Sequence, residues 1–136
     1  MLGDILLAVG EMLGTTIGEG RTEARKTRDG FAKGQVVVVE GCVAGARPYC
    51  RPESGFLHVS ATALAISPVR EPSALARYLP SGSLELVELR RWRQGDPKTI
   101  ARHWDVFVCR DGEDVVLIGC SDYASLVRTA LQFDEA

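Results

Sequence analysis

The chain has 136 residues, a length typical of one domain, and 46% of them are hydrophobic while 25% are charged. This composition indicates a folded globular protein and excludes wholesale disorder. The formal net charge of −2 excludes a protein that is basic overall, so nucleic acid is disfavoured as a partner.

The first 20 residues show the periodicity of an amphipathic helix over residues 2–18. The apolar stripe consists of Leu2, Leu6, Val9, Leu13 and Ile17, with Ile5 and Met12 beside it. A second stripe consists of Gly10, Gly14 and Gly18, a spacing that lets another helix approach closely. Asp4 and Glu11 interrupt the apolar run. The segment therefore predicts neither a secretory signal nor a membrane-spanning helix.

Residues 21–34 are polar and predict a basic linker that ends at two glycines. Its cations include Arg21, Arg25, Lys26 and Arg28. Such a run is attracted to an anionic membrane surface by about 1 kcal/mol per charge. We expect the N-terminal helix to bind a partner protein or a second copy of the chain, with an anionic membrane surface as the second option.

From residue 35 onward the pattern changes to that of β-strands. Strands are predicted at residues 35–43, 56–60, 64–67, 83–92, 104–109 and 114–120. The alternation slips within 83–92, which predicts a bulge near Leu86. One or two helical turns are predicted within 73–79, and an amphipathic helix capped by Ser121 or Asp122 ends the chain.

The predicted core contains residues from four strands and one from the C-terminal helix. The positions expected to be nearly fully buried are Val38, Ile66, Trp104, Val106, Leu117 and Leu126. The fold class is mainly β (α+β). The sequence predicts a small, antiparallel, partly open barrel or sandwich of six to seven strands over residues 35–136, closed by the C-terminal helix. An N-terminal helix, within residues 1–20, precedes it.

The four cysteines are Cys42, Cys50, Cys109 and Cys120. They form no C-x-x-C pair and have no histidine at metal-ligand spacing. A turn at residues 111–112 would separate Cys109 from Cys120 by about 20 Å along a hairpin, too far for a disulfide. We therefore predict four free thiols, no metal, no cofactor and a reducing, cytoplasmic location.

The segment 56–67, FLHVSATALAIS, and the hairpin and helix over 104–131 resemble the pleckstrin-homology-like barrel superfamily. The N-terminal helix, the basic stretch and the run Arg70-Glu71-Pro72 resemble small actinobacterial membrane-anchored proteins of unknown function. The superfamily resemblance implies phospholipid or peptide binding. Its lipid-binding members use a basic loop between their first two strands, where this chain has only Arg47 and Arg51.

The most informative polar stretch lies between residues 90 and 102. It contains the candidate binding residues Arg90, Arg91, Trp92, Arg93, Lys98 and Arg102, with Asp96 as the single acid. Cations beside an aromatic ring can hold the phosphates of a lipid headgroup or a nucleic acid. The alternative is a solvated hairpin in which the arginines pair with Glu85 and Glu88.

No catalytic motif is present, and His103 with Asp105 is the pattern of an exposed polar pair at a strand end. We therefore predict no enzyme activity and no catalytic residues. The predicted function is a non-catalytic binding or scaffold module in the cytoplasm, bound to a partner protein or peripheral at the inner face of the membrane. The alternative is a barrel that binds a small apolar ligand, and an enzyme of unknown type comes third.

Overall fold

The structure, a computed structural model, describes residues 17–80 and 82–132 of the chain. The elements in chain order are α1 (Ile17–Ala32), β1 (Val37–Ala44), β2 (Gly55–Ser60), β3 (Ala63–Ser67), β4 (Arg77–Tyr78), β5 (Leu84–Arg91), β6 (Asp105–Asp111), β7 (Asp114–Cys120) and α2 (Ala124–Leu131). The chain is therefore mainly β, as predicted, and the predicted strands correspond to β1, β2, β3, β5, β6 and β7.

The seven described strands form one antiparallel sheet in the order β4-β3-β2-β1-β7-β6-β5. Two meanders, β1 to β4 and β5 to β7, are joined where β1 pairs with β7. The sheet curls into a half-barrel, and α2 packs on β2, β3 and β5. This confirms the prediction of a partly open antiparallel barrel closed by a C-terminal helix.

The main core lies between the inner face of the sheet and α2. Because strand side chains alternate between faces, every second residue of β1, β2, β3, β6 and β7 contributes to it. Its strand residues include Val37, Val39, Val43, Leu57, Val59, Leu64, Ile66, Phe107, Cys109, Val116 and Ile118, and its α2 residues are Leu126, Val127, Ala130 and Leu131. The predicted burial of Ile66 and Leu126 is confirmed.

A second, smaller core lies on the outer face of the sheet. The loop at residues 92–104 covers this part of β1, β6 and β7, and its Ile100 and Trp104 pack with Cys42 and Val106. The predicted burial of Trp104 and Val106 is therefore confirmed. They do not belong to the main core that contains α2, however, because both faces of the β6–β7 hairpin carry apolar residues and only the opposite face contributes to that core.

Two predicted core positions are wrong. Val38 and Leu117 are only partly buried, because both belong to the outer face. Residues 36–39 are all valine, so the alternation could not show which pair points inward. The structure places Val37 and Val39 in the main core and leaves Val36 exposed.

The predicted linker at 21–34 is also wrong, since most of it belongs to helix α1. The C-terminus of α1 is closed by a Schellman motif. The backbone N–H of Gln35 donates to the Gly30 carbonyl oxygen at 2.9 Å, and that of Gly34 donates to Phe31 at 3.0 Å. Gly34 has a φ of +96°, which favours glycine, and Phe31 is buried in the main core. The predicted N-terminal helix lies mostly outside the described residues.

The β6–β7 hairpin turns at Gly112-Glu113, one residue later than predicted. Asp111 pairs with Asp114, so Cys109 is opposite Val116. Gly112, with a φ of +66°, occupies the first central position, as in type II′ turns. By contrast, the predicted bulge is confirmed, because the register between β5 and β6 shifts between Leu86 and Glu88.

Two local predictions near helices are corrected. Residues 73–79 contain a turn and the short strand β4, with no helix, because the Leu79 N–H donates to the Leu64 carbonyl oxygen at 2.9 Å and holds the segment on the sheet. The N-cap of α2 is Tyr123, in the left-handed conformation, rather than Ser121 or Asp122. The Asp122 carboxylate instead accepts a hydrogen bond from the Tyr123 N–H at 2.7 Å.

Candidate binding surface

Arg90, the first residue of the predicted basic site, holds the 92–104 loop in place. Its guanidinium donates two hydrogen bonds to the Asp96 carboxylate, each 2.9 Å long. The Arg93 N–H donates to the same carboxylate at 3.1 Å. These hydrogen bonds, those from Arg90 above all, hold the pKa of Asp96 below its ordinary value. The side chains of Arg90 and Asp96 are only 14% and 5% exposed. Arg90 therefore stabilises the fold through this ion pair and is not available to bind a ligand.

The other predicted cations are more accessible. Arg91 lies 3.6 Å from the Asp105 carboxylate in an exposed ion pair, and Arg102 stacks over the Trp92 ring at 5.2 Å from its centroid. Arg93, Lys98 and Arg102 are exposed, and they form no salt bridge within the described part of the chain. The structure therefore leaves these three side chains and the half-buried Trp92 on the surface.

Both basic residues of the β1–β2 loop pair with carboxylates, Arg47 with the β6–β7 hairpin and Arg51 within the loop itself. Arg47 lies 3.4 Å from the Asp111 carboxylate and 3.2 Å from that of Asp114. The Tyr49 hydroxyl donates to Asp111 at 2.7 Å, and desolvation by burial, together with this contact, raises the pKa of Tyr49. Arg51 lies 3.8 Å from Glu53. The loop is thereby fastened to the β6–β7 hairpin.

The predicted residues of the N-terminal segment fall into two groups. Gly10 and Gly14 lie outside the described residues, whereas Gly18 and Arg21 belong to α1. Exposed cations follow along the same helix: Arg25, Lys26 and Arg28. The Arg28 guanidinium stacks over the Tyr123 ring at 5.6 Å and so joins α1 to the start of α2.

A groove that the sequence did not reveal lies on the outer face of β1, β2, β3 and β4. It has a volume of about 440 Å³. The pairing register aligns Val38, His58, Ala65 and Tyr78 across its floor, one from each of four adjacent strands. The loop after β3 forms one wall, and the His58 ring lies 3.0 Å from the Val69 carbonyl oxygen.

The margin of this outer groove is unusually apolar for a protein surface. Val36 is 58% exposed and Tyr78 is 71% exposed, and both line it. Val69 and Leu75, in the same wall loop, are exposed as well. A second hollow of about 360 Å³ shares Val36 and Val38 with the groove and extends to α1. The lining of the groove is mainly apolar, whereas that of the hollow is mainly polar. Exposed apolar surface such as that of the groove is a feature of binding sites.

The charges of the outer groove are positive. Arg70 lines it and stacks over the Phe56 ring at 4.9 Å, and Lys26 of α1 lines the adjoining hollow. No carboxylate belongs to the lining of either cavity in the described residues. The surface is therefore suited to an apolar group that carries negative charge beside it.

All four cysteines fall within residues 17–132, where each is a free thiol. Burial raises the pKa of Cys109 and of Cys120 to about 12, so neither forms a thiolate at neutral pH. In the same described residues, no cluster of three or more His, Cys, Asp or Glu could hold a metal ion. No helix among them has the length and apolar character that a membrane crossing requires.

Comparisons with protein-family models, with curated proteins and with solved structures found no match for this chain. The geometry of the described residues, and the outer groove above all, therefore carries the functional proposal.

Proposed function

We propose that this protein is a non-catalytic binding module that uses the outer groove to bind an apolar segment of a partner protein. The observation that carries the proposal is the unequal covering of the outer face. The 92–104 loop buries the half that contains Cys42 and Val106, whereas the half that contains the exposed Val36 and the partly buried Val38 is left as an open groove.

The described architecture supports a binding module of the pleckstrin-homology-like kind. Its seven-stranded antiparallel half-barrel with a C-terminal helix is compatible with that fold. Fold alone does not assign a function, so the site must do so. The resemblance to the actinobacterial membrane-anchored family stays a prediction, since no family model matches.

The inner face offers less room for a ligand than the outer one. Its large side chains, among them Phe107, Leu57 and Ile118, are completely buried against one another and α2. We therefore assign binding to the outer groove. The alternative function, an apolar ligand held inside the barrel, stays a prediction.

The groove can be tested with a pair of matched valine substitutions. Val36→Glu places a charge in the groove, and Val115→Glu places the same charge at a valine that is 56% exposed, against 58% for Val36. Val115 lies near the far end of β1, because Leu117 pairs with Ala44. At about 3.4 Å per residue, Ala44 is about 27 Å along the strand from Val36.

Both variants should melt at the temperature of the parent, since neither valine is buried. In affinity capture from native extract, quantified protein by protein, we expect partners held by the parent to be lost with Val36→Glu and kept with Val115→Glu. Capture that is equal for all three proteins would contradict the groove as the binding site.

A second candidate function is contact with an anionic membrane surface. The exposed Arg93, Lys98 and Arg102 around Trp92 favour it, because cations next to an interfacial aromatic are attracted to anionic headgroups. This surface lies on the loop that covers the second core, apart from the groove, so the two candidates can be tested independently.

A further inference from the structure

Resting on the proposed function, we infer that the partner in the outer groove is a second copy of this chain, which contributes its N-terminal residues 1–16. Two chains would then exchange these segments, each filling the groove of the other. The resulting dimer is symmetric, because the same pair of surfaces meets twice about a two-fold axis.

The chemistry of the segment matches that of the groove. Residues 1–16 contain a stripe of large apolar side chains, and their only charged side chains are Asp4 and Glu11. The groove has a mainly apolar lining that includes Arg70, and Lys26 lines the adjoining hollow. An acidic amphipathic segment on a basic apolar groove satisfies both the hydrophobic and the electrostatic requirement of a stable contact.

The position of the segment favours the second copy over the groove of its own chain. Residues 1–16 lead directly into α1, and Lys26 of α1 lines the hollow that adjoins the groove. The sequence predicts a helix over 2–18, which would continue α1. At about 1.5 Å per residue, Leu6 would then lie about 30 Å along the axis from Lys26, and therefore well away from the hollow of its own chain. The groove of a second molecule can lie beside Leu6 at that distance.

Sedimentation velocity of the full chain tests this inference. The variants are Leu6→Glu in the segment and Val36→Glu in the groove, with Val115→Glu as the control of equal exposure. We expect the parent and Val115→Glu to be dimers. Each of the other two variants should raise the dimer dissociation constant about tenfold or more, because either one places an unpaired carboxylate in the apolar contact.

Mixing the two defective variants gives a sharper result. Leu6→Glu leaves the groove unchanged, and Val36→Glu leaves the N-terminal segment unchanged. A mixed dimer therefore contains one contact in which both surfaces are unchanged, and neither homodimer has such a contact. We therefore expect more dimer in the mixture than in either variant alone. A mixture that stays as dissociated as its components would overturn the exchange of segments.

Two further outcomes separate this inference from the proposed function. A parent that sediments as a monomer, while capture of other proteins still depends on Val36, overturns the second copy as occupant and leaves the groove as a binding site. A dimer that is insensitive to Val36→Glu overturns the groove as the dimer contact. Capture of other proteins that is independent of Val36, together with a dimer that is insensitive to Val36→Glu, contradicts the proposed function itself.

Discussion

The Arg90–Asp96 pair offers the most exact test of how the 92–104 loop is held. Asp96→Asn removes the negative charge but keeps the shape of the side chain. One of the two hydrogen bonds from Arg90 then loses its acceptor, and the other is no longer made to a charged group. Hydrogen bonds to charged groups contribute about 1.5–3 kcal/mol each. Removing one partner of a fully buried ion pair costs about 3–5 kcal/mol. Because Arg90 keeps 14% exposure, we expect a smaller loss, of about 2–4 kcal/mol.

A loss of about 3 kcal/mol should lower the melting temperature of a domain of this size by about 10 °C. Urea denaturation at pH 7 measures the free energy of unfolding directly. Asp105→Asn is the matched control, because its partner Arg91 is exposed and 3.6 Å away, and such pairs contribute about 0–1 kcal/mol. Equal stability of Asp96→Asn and the parent would refute the structural role assigned to Arg90.

The pH dependence of the same pair has a definite sign. The pKa of Asp96 is lower in the folded protein than its ordinary value of about 4, mainly because Arg90 donates to the carboxylate. The pair therefore stabilises the fold fully above about pH 4, and this contribution is lost as the pH falls through the lower folded pKa. The stability difference between the parent and Asp96→Asn should accordingly shrink below pH 4.

Two other predictions concern the core and the membrane. Leu126→Ala should destabilise the protein by about 2–5 kcal/mol in a denaturant titration, because this buried side chain joins α2 to the sheet. Leu75→Ala, at an exposed leucine, should change stability by less than about 0.5 kcal/mol, and identical curves for both would contradict the assigned core. Lys98→Glu with Arg102→Glu should weaken co-sedimentation with anionic vesicles, in a salt-sensitive way. Arg110→Glu, an exposed site elsewhere, should weaken it less; an equal loss would count against this surface.

The sequence alone predicted the elements whose patterns are local. Alternation identified the six longer strands, the slip in β5 identified its bulge, and the apolar stripe identified α2. These predictions held because side-chain periodicity depends only on the backbone conformation of a few neighbouring residues. Helix α1 was missed, although Gly34 followed by a strand is a recognised helix-stop signal, because its polar composition was interpreted as a linker.

Which face of each strand points inward was decided by the tertiary structure. Where both faces are apolar, as at Val37 and Val38 or at Val106 and Phe107, the alternation of side chains does not show which face points to the main core. The packing of α2 on one side selected the main core, and the 92–104 loop, held by Arg90 and Asp96, buried part of the other side. The outer groove is the part of the outer face that this loop leaves uncovered. It depends on where a distant segment folds back on the sheet, and no local pattern in the sequence contains that information.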